Sequence, residues 1–167
     1  MYKKLTTERL LIRPITKDDA DFILRLANSE GWLKYIGDRN IQNSSDAKNY
    51  IQKILDNKKY FYSVFQLKET GAVIGIISFL YRDDQKYPDI GFAILPEFEK
   101  QGYSFEAAKK YLDEIIEETD VDRIIGITLS GNTKSIKLLE KLGLTSQENF
   151  YEENEQLSLY SLKIRLK

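Results

Sequence analysis

The spacing of hydrophobic and polar residues changes several times along this chain. In three segments apolar residues recur at i, i+3, i+4 and i+7, which is the spacing of an amphipathic helix, and a shorter fourth segment has apolar residues at 136, 139 and 142. These segments predict helices at residues 20–27, 44–55, 108–116 and 136–142. Thr16 and Asp19 form a capping-box-like pair before the first helix, and Gly143 is a suitable C-cap for the last one.

Other segments are short, apolar and rich in β-branched or aromatic residues, which is typical of strands. They predict strands at residues 10–13, 60–67, 72–81, 90–95, 123–129, 147–151 and 156–164. The order is β-αα-βββ-α-β-α-ββ, which predicts an α+β fold: a mostly antiparallel, twisted mixed sheet of six to seven strands flanked by four helices. We expect a single domain over residues 1–167, because no repeat or Pro/Gly-rich linker divides the chain.

Composition narrows the chemistry that the chain can perform. It has 25 basic and 26 acidic residues, no cysteine and no histidine, so disulfides, thiolate or imidazole metal ligands and histidine bases are excluded. The net charge of −1 lacks the basic excess of a duplex-binding domain, so no nucleic-acid partner is expected. Neither a signal peptide nor an apolar run of roughly 18 residues occurs, so we expect a soluble cytoplasmic protein without a membrane partner.

Two strand-loop-helix segments carry the candidate chemistry. In the first, strand 90–95 leads to Gly102 at a helix start, and the unpaired amides of a helix N-terminus bind phosphate groups well. In the second, Asn132 or Thr133 caps a helix that carries Ser135 on the same side as its leucines. An ordinary strand-to-helix turn and a serine bonded to its own helix are the alternatives that the residues alone leave open.

Three motifs in order resemble the GNAT acetyltransferase superfamily, and most closely its branch of ribosomal-protein N-terminal acetyltransferases, the RimJ/RimL type. The first motif is Thr-Glu-Arg-Leu-Leu-Ile-Arg-Pro at residues 7–14. The second combines Ile-Gly-Phe at 90–92 with Gly-Tyr-Ser at 102–104, and the third combines Asn132 and Ser135 with Leu-Leu-Glu-Lys-Leu-Gly at 138–143. The resemblance spans residues 7–165 and implies a GNAT fold, acetyl-CoA as acetyl donor, a primary amine as acceptor, and no metal.

The resemblance also implies roles for individual residues. The backbone near Ile94 and Leu95 would face the acetyl carbonyl, Asn132 would hold the pantetheine arm, and Ser135 would assist the leaving sulfur. Asp89, at the start of a strand, is the candidate general base, with a solvated loop carboxylate as the alternative. The predicted cofactor-binding residues are Phe92, Ala93, Ile94, Leu95, Lys100, Gln101, Gly102, Tyr103, Ser104, Phe105, Asn132, Ser135, Leu139 and Lys141.

The coenzyme loop departs from the family pattern Gln/Arg-x-x-Gly-x-Gly/Ala. Glu99 places a carboxylate where the family has a neutral or positive side chain, and Ser104 replaces a glycine or alanine. We expect weakened but retained coenzyme binding, because backbone amides do most of the work and Lys100 adds a compensating charge. Leu139 stands where many members carry a tyrosine, so Ser135 would serve at the sulfur instead.

Three functional classes fit these observations: an active N-acetyltransferase, a GNAT-fold module that binds coenzyme A without turnover, and an interaction domain without a small ligand. The acceptor stays open among protein N-termini, free amino acids, polyamines and amine-bearing antibiotics. Carboxylates in residues 83–89 and 152–155 favour a cationic acceptor if the two segments meet at one mouth. Both a monomer and a homodimer are compatible with the sequence.

Overall fold

The computed structural model describes residues 3–164, and within them eight strands and five α-helices alternate along the chain. The strands are β1 Leu5–Thr6, β2 Leu10–Pro14, β3 Tyr60–Leu67, β4 Val73–Leu80, β5 Asp89–Ile94, β6 Arg123–Leu129, β7 Thr145–Glu152 and β8 Glu155–Lys163. The helices are α1 Ala20–Ala27, α2 Glu30–Tyr35, α3 Ser44–Asp56, α4 Tyr103–Glu118 and α5 Thr133–Lys141. Short 3-10 turns occur at Lys17–Asp19 and Pro96–Phe98.

All eight strands join one sheet in the order β1-β2-β3-β4-β5-β6-β8-β7. Every neighbouring pair is antiparallel except β5 and β6, which run parallel. The predicted α+β fold with a mostly antiparallel mixed sheet is confirmed, with eight strands instead of six to seven and five helices instead of four.

Helices cover both faces of the sheet and create two apolar clusters. On one face α1, α2 and α3 bury a cluster that includes Ile23, Trp32, Ile51, Val64 and Ile76. On the other face α4 and α5 bury a cluster that includes Phe65, Phe79, Tyr111, Leu112 and Leu139. Because the central strands are covered on both sides, β4 is apolar along nearly its whole length instead of alternating.

The predicted capping pair also fastens the first helix to the sheet. The Thr16 N–H donates to Asp19 Oδ2 at 2.8 Å, as the capping box requires. The same buried carboxylate accepts two hydrogen bonds from the Arg13 guanidinium, at 2.7 and 2.9 Å. Asp19 therefore joins β2 to the start of α1, a second role that the sequence pattern did not indicate.

Two elements are absent from the sequence prediction. β1 has only two residues, and α2 has six, with Gly31 inside it and Trp32 as its only buried residue. A helix of six residues is too short to show a helical repeat of apolar residues. The sequence therefore predicts residues 28–31 only as the end of α1. None of the helices in residues 3–164 is long and apolar enough to cross a membrane.

Candidate functional site

β5 and β6 separate soon after their pairing begins. Their ladder contains one Cα pair, Asp89 with Ile125, and the Ile125 N–H donates to the Pro88 carbonyl at 2.9 Å. β5 is buried at residues 89–90 and β6 at residues 124–126, and the strands become half-buried at residues 91–94 and 127–129, although they lie in the middle of the sheet. The two strands therefore open toward their carboxyl ends, and this opening is termed the β5–β6 gap.

The backbone of β5 presents polar groups to this gap. The N–H of Leu95 donates to the Ile74 carbonyl on β4 at 2.9 Å, so the prediction that this amide faces an acetyl carbonyl is wrong. Backbone directions alternate along an antiparallel strand, so the N–H groups of Ala93 and Leu95 point toward β4. By the same alternation, the N–H groups of Phe92 and Ile94 point into the β5–β6 gap.

Asp89 lies where the gap begins. Its side chain is buried; Oδ2 accepts from Arg82 Nε at 2.8 Å, and Oδ1 accepts from the Ile127 N–H at 3.3 Å. Burial raises the pKa of Asp89 to about 6, although Arg82 and the Ile127 N–H oppose the rise. The alternative of a solvated loop carboxylate is therefore wrong, and Asp89 is a buried carboxylate that is largely ionised at neutral pH.

Asn132 and Ser135 form a closed pair at the start of α5. The Ser135 N–H donates to Asn132 Oδ1 at 3.3 Å, and Asn132 Nδ2 donates to Ser135 Oγ at 2.9 Å. Ser135 Oγ accepts this hydrogen bond and keeps its own hydrogen for another acceptor. Asn132 is only 9% exposed and both ends of its amide bind Ser135, so it orients the serine. Its second amide hydrogen has no partner among the described residues, so binding of the pantetheine arm by Asn132 stays a prediction.

The loop before α4 is shaped to receive an anion. Lys100 and Gly102 adopt left-handed backbone, with φ of 61° and 80°. The N–H groups of Tyr103, Ser104 and Phe105 lack intrahelical partners because they lie in the first turn of α4. No side chain among the described residues caps this helix in their place. Left-handed residues beside a helix start gather N–H groups into an anion-binding concavity, to which the helix dipole adds positive potential.

Nearby basic side chains neutralise the acids of this loop. The ion pairs are Glu97 with Arg25, Glu99 with Lys134, and Glu106 with Arg9. Lys134 Nζ lies 2.5 Å from Glu99 Oε2, so a cation from α5 cancels the carboxylate that departs from the family pattern. Lys100 has no carboxylate partner within residues 3–164, which leaves the loop with a positive balance.

The remaining predicted residues divide between the site and the core. Lys141 Nζ lies 4.1 Å from the centre of the Phe105 ring, which joins α5 to the first turn of α4. Leu139 is 2% exposed, and its Cδ2 lies 2.5 Å from where a Cβ on Gly126 would be, so it fills a depression on β6. The Leu139 side chain therefore belongs to the core and not to the predicted cofactor site.

The two acidic segments do not meet at one mouth. Residues 83–84 precede β5, whose first residue is level with Ile125 near the start of β6. The β7–β8 turn extends beyond the Leu129–Leu157 pair at the other end of β6. The register thus places the β7–β8 turn at the open end of the gap and residues 83–84 at the opposite end of the sheet, so only the former stays a candidate for acceptor binding.

A model of the family described as acetyltransferase (GNAT) domain matches residues 9–145. The chain therefore belongs to the GNAT acetyltransferase family, as the three motifs predicted. It is an acetyl-CoA-dependent N-acetyltransferase, and acetyl-CoA is its acetyl donor.

Alignments with known proteins extend over nearly the whole chain. The uncharacterized N-acetyltransferase YnaD of Bacillus subtilis (strain 168) is 28% identical over 151 residues, 89% of this chain and 86% of YnaD. A GNAT acetyltransferase from Bacillus anthracis superposes with a TM-score of 0.83 at 24% identity, covering 96% of this chain and 98% of that one.

Two structures of the same fold contain coenzyme A. RimL, a ribosomal L7/L12 alpha-N-protein acetyltransferase, has a TM-score of 0.82 at 13% identity, over 96% of this chain and 97% of RimL. Spermidine N-acetyltransferase from Vibrio cholerae, with coenzyme A and spermine, has a TM-score of 0.80 at 16% identity, over 95% and 97% of the two chains. The putative ribosomal N-acetyltransferase YdaF of Bacillus subtilis (strain 168), 26% identical over 159 residues, 88% of this chain and 84% of YdaF, agrees with the predicted RimJ/RimL-like branch.

Proposed function

We propose that this chain acetylates a primary amine by direct transfer from acetyl-CoA while both substrates are bound. The observation that carries the proposal is the β5–β6 gap, which combines inward-pointing backbone N–H groups with a buried carboxylate at its closed end. The start of α5 adds a hydroxyl that has a free hydrogen. Direct transfer also agrees with the absence of cysteine, because no thiol is available to carry an acetyl group.

Two parts of the chain would hold the coenzyme. The helix-terminal N–H groups of residues 103–105, together with Lys100, match the charge of a pyrophosphate. The pantetheine amides would pair, as with an added strand, with the gap-facing backbone groups of Phe92 and with the Ile94 carbonyl. The left-handed Gly102 fits this arrangement, because a residue without a Cβ adopts the φ of 80° that this turn requires without strain.

The residues of the gap would assist transfer in different ways. Acetyl-CoA supplies a thioester, whose carbon–sulfur bond breaks as the amine nitrogen bonds to the acetyl carbon. The Ile94 N–H would donate to the acetyl oxygen as negative charge develops there. The Ser135 hydroxyl would donate to the departing sulfur, which needs only modest help because a thiol has a pKa of about 8.5.

Asp89 would accept, through intervening water, the proton that the amine loses, because the strand from Asp89 to Ile94 spans roughly 16 Å. Its pKa of about 6 keeps it largely ionised at neutral pH, and its two hydrogen bonds leave lone pairs free for a further donor. An α-amine, with a pKa of about 7.7–8.0, is far less protonated at pH 7 than a primary amine with a pKa near 10. With an α-amine acceptor, water is the alternative proton acceptor.

The β7–β8 turn supports a cationic acceptor. Glu152 and Glu155 face each other as the last pair of the ladder, with Glu153 in the turn between them. Like charges directly opposite each other on neighbouring strands destabilise a hairpin, and a bound cation relieves that repulsion. A polyamine and a peptide whose N-terminus precedes basic residues both fit. The names of the two coenzyme-bound neighbours give spermidine and the α-amine of a ribosomal protein as the acceptors of those proteins.

Initial rates over a grid of acetyl-CoA and amine concentrations test direct transfer. We expect double-reciprocal lines that intersect, because both substrates must be present before either product leaves. Mass spectrometry of the chain after incubation with acetyl-CoA alone should find it unmodified. Parallel lines together with an acetylated chain would establish a covalent acetyl-enzyme and contradict the proposal.

A further inference from the structure

Arg9 reaches the coenzyme loop from a segment 92 residues earlier in the chain. Its Nη1 donates to the Gln101 carbonyl at 3.0 Å, and its guanidinium carbon lies 4.2 Å from the centre of the Tyr103 ring. Its Nη2 lies 3.5 Å from where a Cβ on Gly102 would be. One planar group therefore contacts three consecutive residues at the turn into α4.

Glu106 fixes Arg9 in this position. Arg9 Nε donates to Glu106 Oε2 at 2.7 Å, and the Arg9 backbone N–H donates to Oε1 at 3.0 Å. The Thr7 hydroxyl donates to the same Oε1 at 2.5 Å. Since Glu106 lies in the first turn of α4, these bonds hold the β1–β2 connection against the helix that the loop precedes.

The bond to Gln101 determines where the next N–H points. The Gln101 carbonyl and the Gly102 N–H belong to one planar trans peptide, in which the two groups point in opposite directions. By holding the carbonyl, Arg9 turns the Gly102 N–H away from itself. This N–H therefore lies on the side of the peptide opposite Arg9 and is not directed at the guanidinium.

We propose that Arg9 is a positioning residue of the coenzyme site, which fixes the Gln101–Gly102 peptide so that the Gly102 N–H joins the free N–H groups of α4 in binding the pyrophosphate. The inference rests on the proposed binding of acetyl-CoA at this loop. The role depends on geometry more than on charge, because Glu106 already neutralises Arg9. A guanidinium can bind Glu106 and Gln101 at once through its fixed fork, whereas a lysine ammonium is a single point.

Calorimetric titration of coenzyme A into the Arg9→Met and Arg9→Lys variants tests this role without catalysis. We expect both variants to bind at least about tenfold more weakly than the unchanged chain. Lys109→Met is the matched control, because Lys109 lies on α4 and pairs only with Asp113 among the described residues. Unchanged affinity for coenzyme A in Arg9→Met would overturn the proposal. An affinity in Arg9→Lys equal to that of the unchanged chain would also overturn it, because the effect would then depend on the positive charge alone.

A shortened donor separates loop positioning from a general structural role. Acetyl-pantetheine has the thioester arm but no pyrophosphate, so its kcat/KM should stay within about twofold in Arg9→Lys while that of acetyl-CoA falls at least about tenfold. Equal losses with both donors would mean that Arg9 supports the whole fold and would overturn the inference. If the unchanged chain acetylates no amine, the transfer proposal fails, and the calorimetric comparison still decides the role of Arg9.

Discussion

Asp89 and Ile127 are joined by a hydrogen bond from the Ile127 N–H to Asp89 Oδ1, 3.3 Å long, where β5 and β6 separate. In a continued parallel ladder this N–H would bind a backbone carbonyl of β5. The separation removes that partner, and a buried amide needs a replacement, which the carboxylate provides. Asp89 therefore stabilises the closed end of the gap and also holds an ionisable group beside it.

Replacing Asp89 by asparagine should change the pH dependence of acetylation. Because the pKa of Asp89 is about 6, kcat/KM of the unchanged chain should fall as the pH drops through 6 and the carboxylate becomes protonated. Asp89→Asn should lower the rate at neutral pH by about 10²-fold or more and abolish this inflection. Glu69→Gln is the control, because Glu69 is an exposed acid in the β3–β4 turn, away from Asp89. An inflection near 6 that persists in Asp89→Asn would assign it to another group.

Ser135→Ala should lower kcat more than it raises the KM for acetyl-CoA. The Ser135 hydroxyl accepts from Asn132 and has its hydrogen free, so its contribution should arise in the transition state and not in binding. Ser130→Ala is the control, because Ser130 lies nearby but is bonded to Ser158 at 2.8 Å. A loss of less than about threefold in kcat would make Ser135 a structural residue.

Gly102→Val should weaken coenzyme A binding at least about tenfold, or about 1.4 kcal/mol. A branched side chain would push against the Arg9 guanidinium, whose Nη2 lies 3.5 Å from where a Cβ on Gly102 would be. The left-handed backbone with φ of 80° would also strain any residue that has a Cβ, so the loop N–H groups would be displaced. Gly71→Val is the matched control: its φ is 75°, and it lies in the β3–β4 turn, away from the site. If the calorimetric affinity for coenzyme A falls equally in folded Gly102→Val and Gly71→Val, backbone strain alone explains the loss and Gly102 has no special role in binding.

Replacing Glu152, Glu153 and Glu155 together by glutamine should remove most of the salt dependence for a cationic acceptor. Exposed charges are screened as the Debye length falls from about 10 Å at 0.1 M salt to about 3 Å at 1 M. In the unchanged chain, kcat/KM for spermidine should therefore drop with salt while that for a neutral amine stays level. A triple variant that keeps both its rate and its salt slope would show that the β7–β8 turn takes no part in recognition.

The long elements could be predicted from the sequence because each has a clear period or composition. β3 and β6 begin and end at the predicted residues, since runs such as Arg123–Leu129 are rich in β-branched side chains between turn residues. α2 could not be predicted, because six residues with a glycine give no period. The motifs of the coenzyme loop and of α5 identified the family from the sequence alone.

Site details that depend on strand register or on distant contacts could not be read from the sequence. The Leu95 amide is bonded to Ile74, which follows from the pairing of β4 with β5 and not from the local residues. Asp89 precedes a strand in the sequence and looks solvated, but Arg82 and Ile127 enclose it in the fold. The contact from Arg9 to Gln101 spans 92 residues, and only the Arg in the opening motif could have drawn attention to it.

A panel of amines measures whether the chain moves an acetyl group from acetyl-CoA to an amine. Thiol release from acetyl-CoA should be followed with spermidine, basic and neutral peptides, amino acids and an aminoglycoside, with mass spectrometry of each product and a melting-temperature shift with coenzyme A in parallel. We expect amine-dependent thiol release matched by an equal amount of acetylated amine, greatest for a cationic acceptor. A melting-temperature shift with coenzyme A but no thiol release with any amine would contradict this transfer and identify a coenzyme-binding module, and no shift at all would indicate a domain without this ligand.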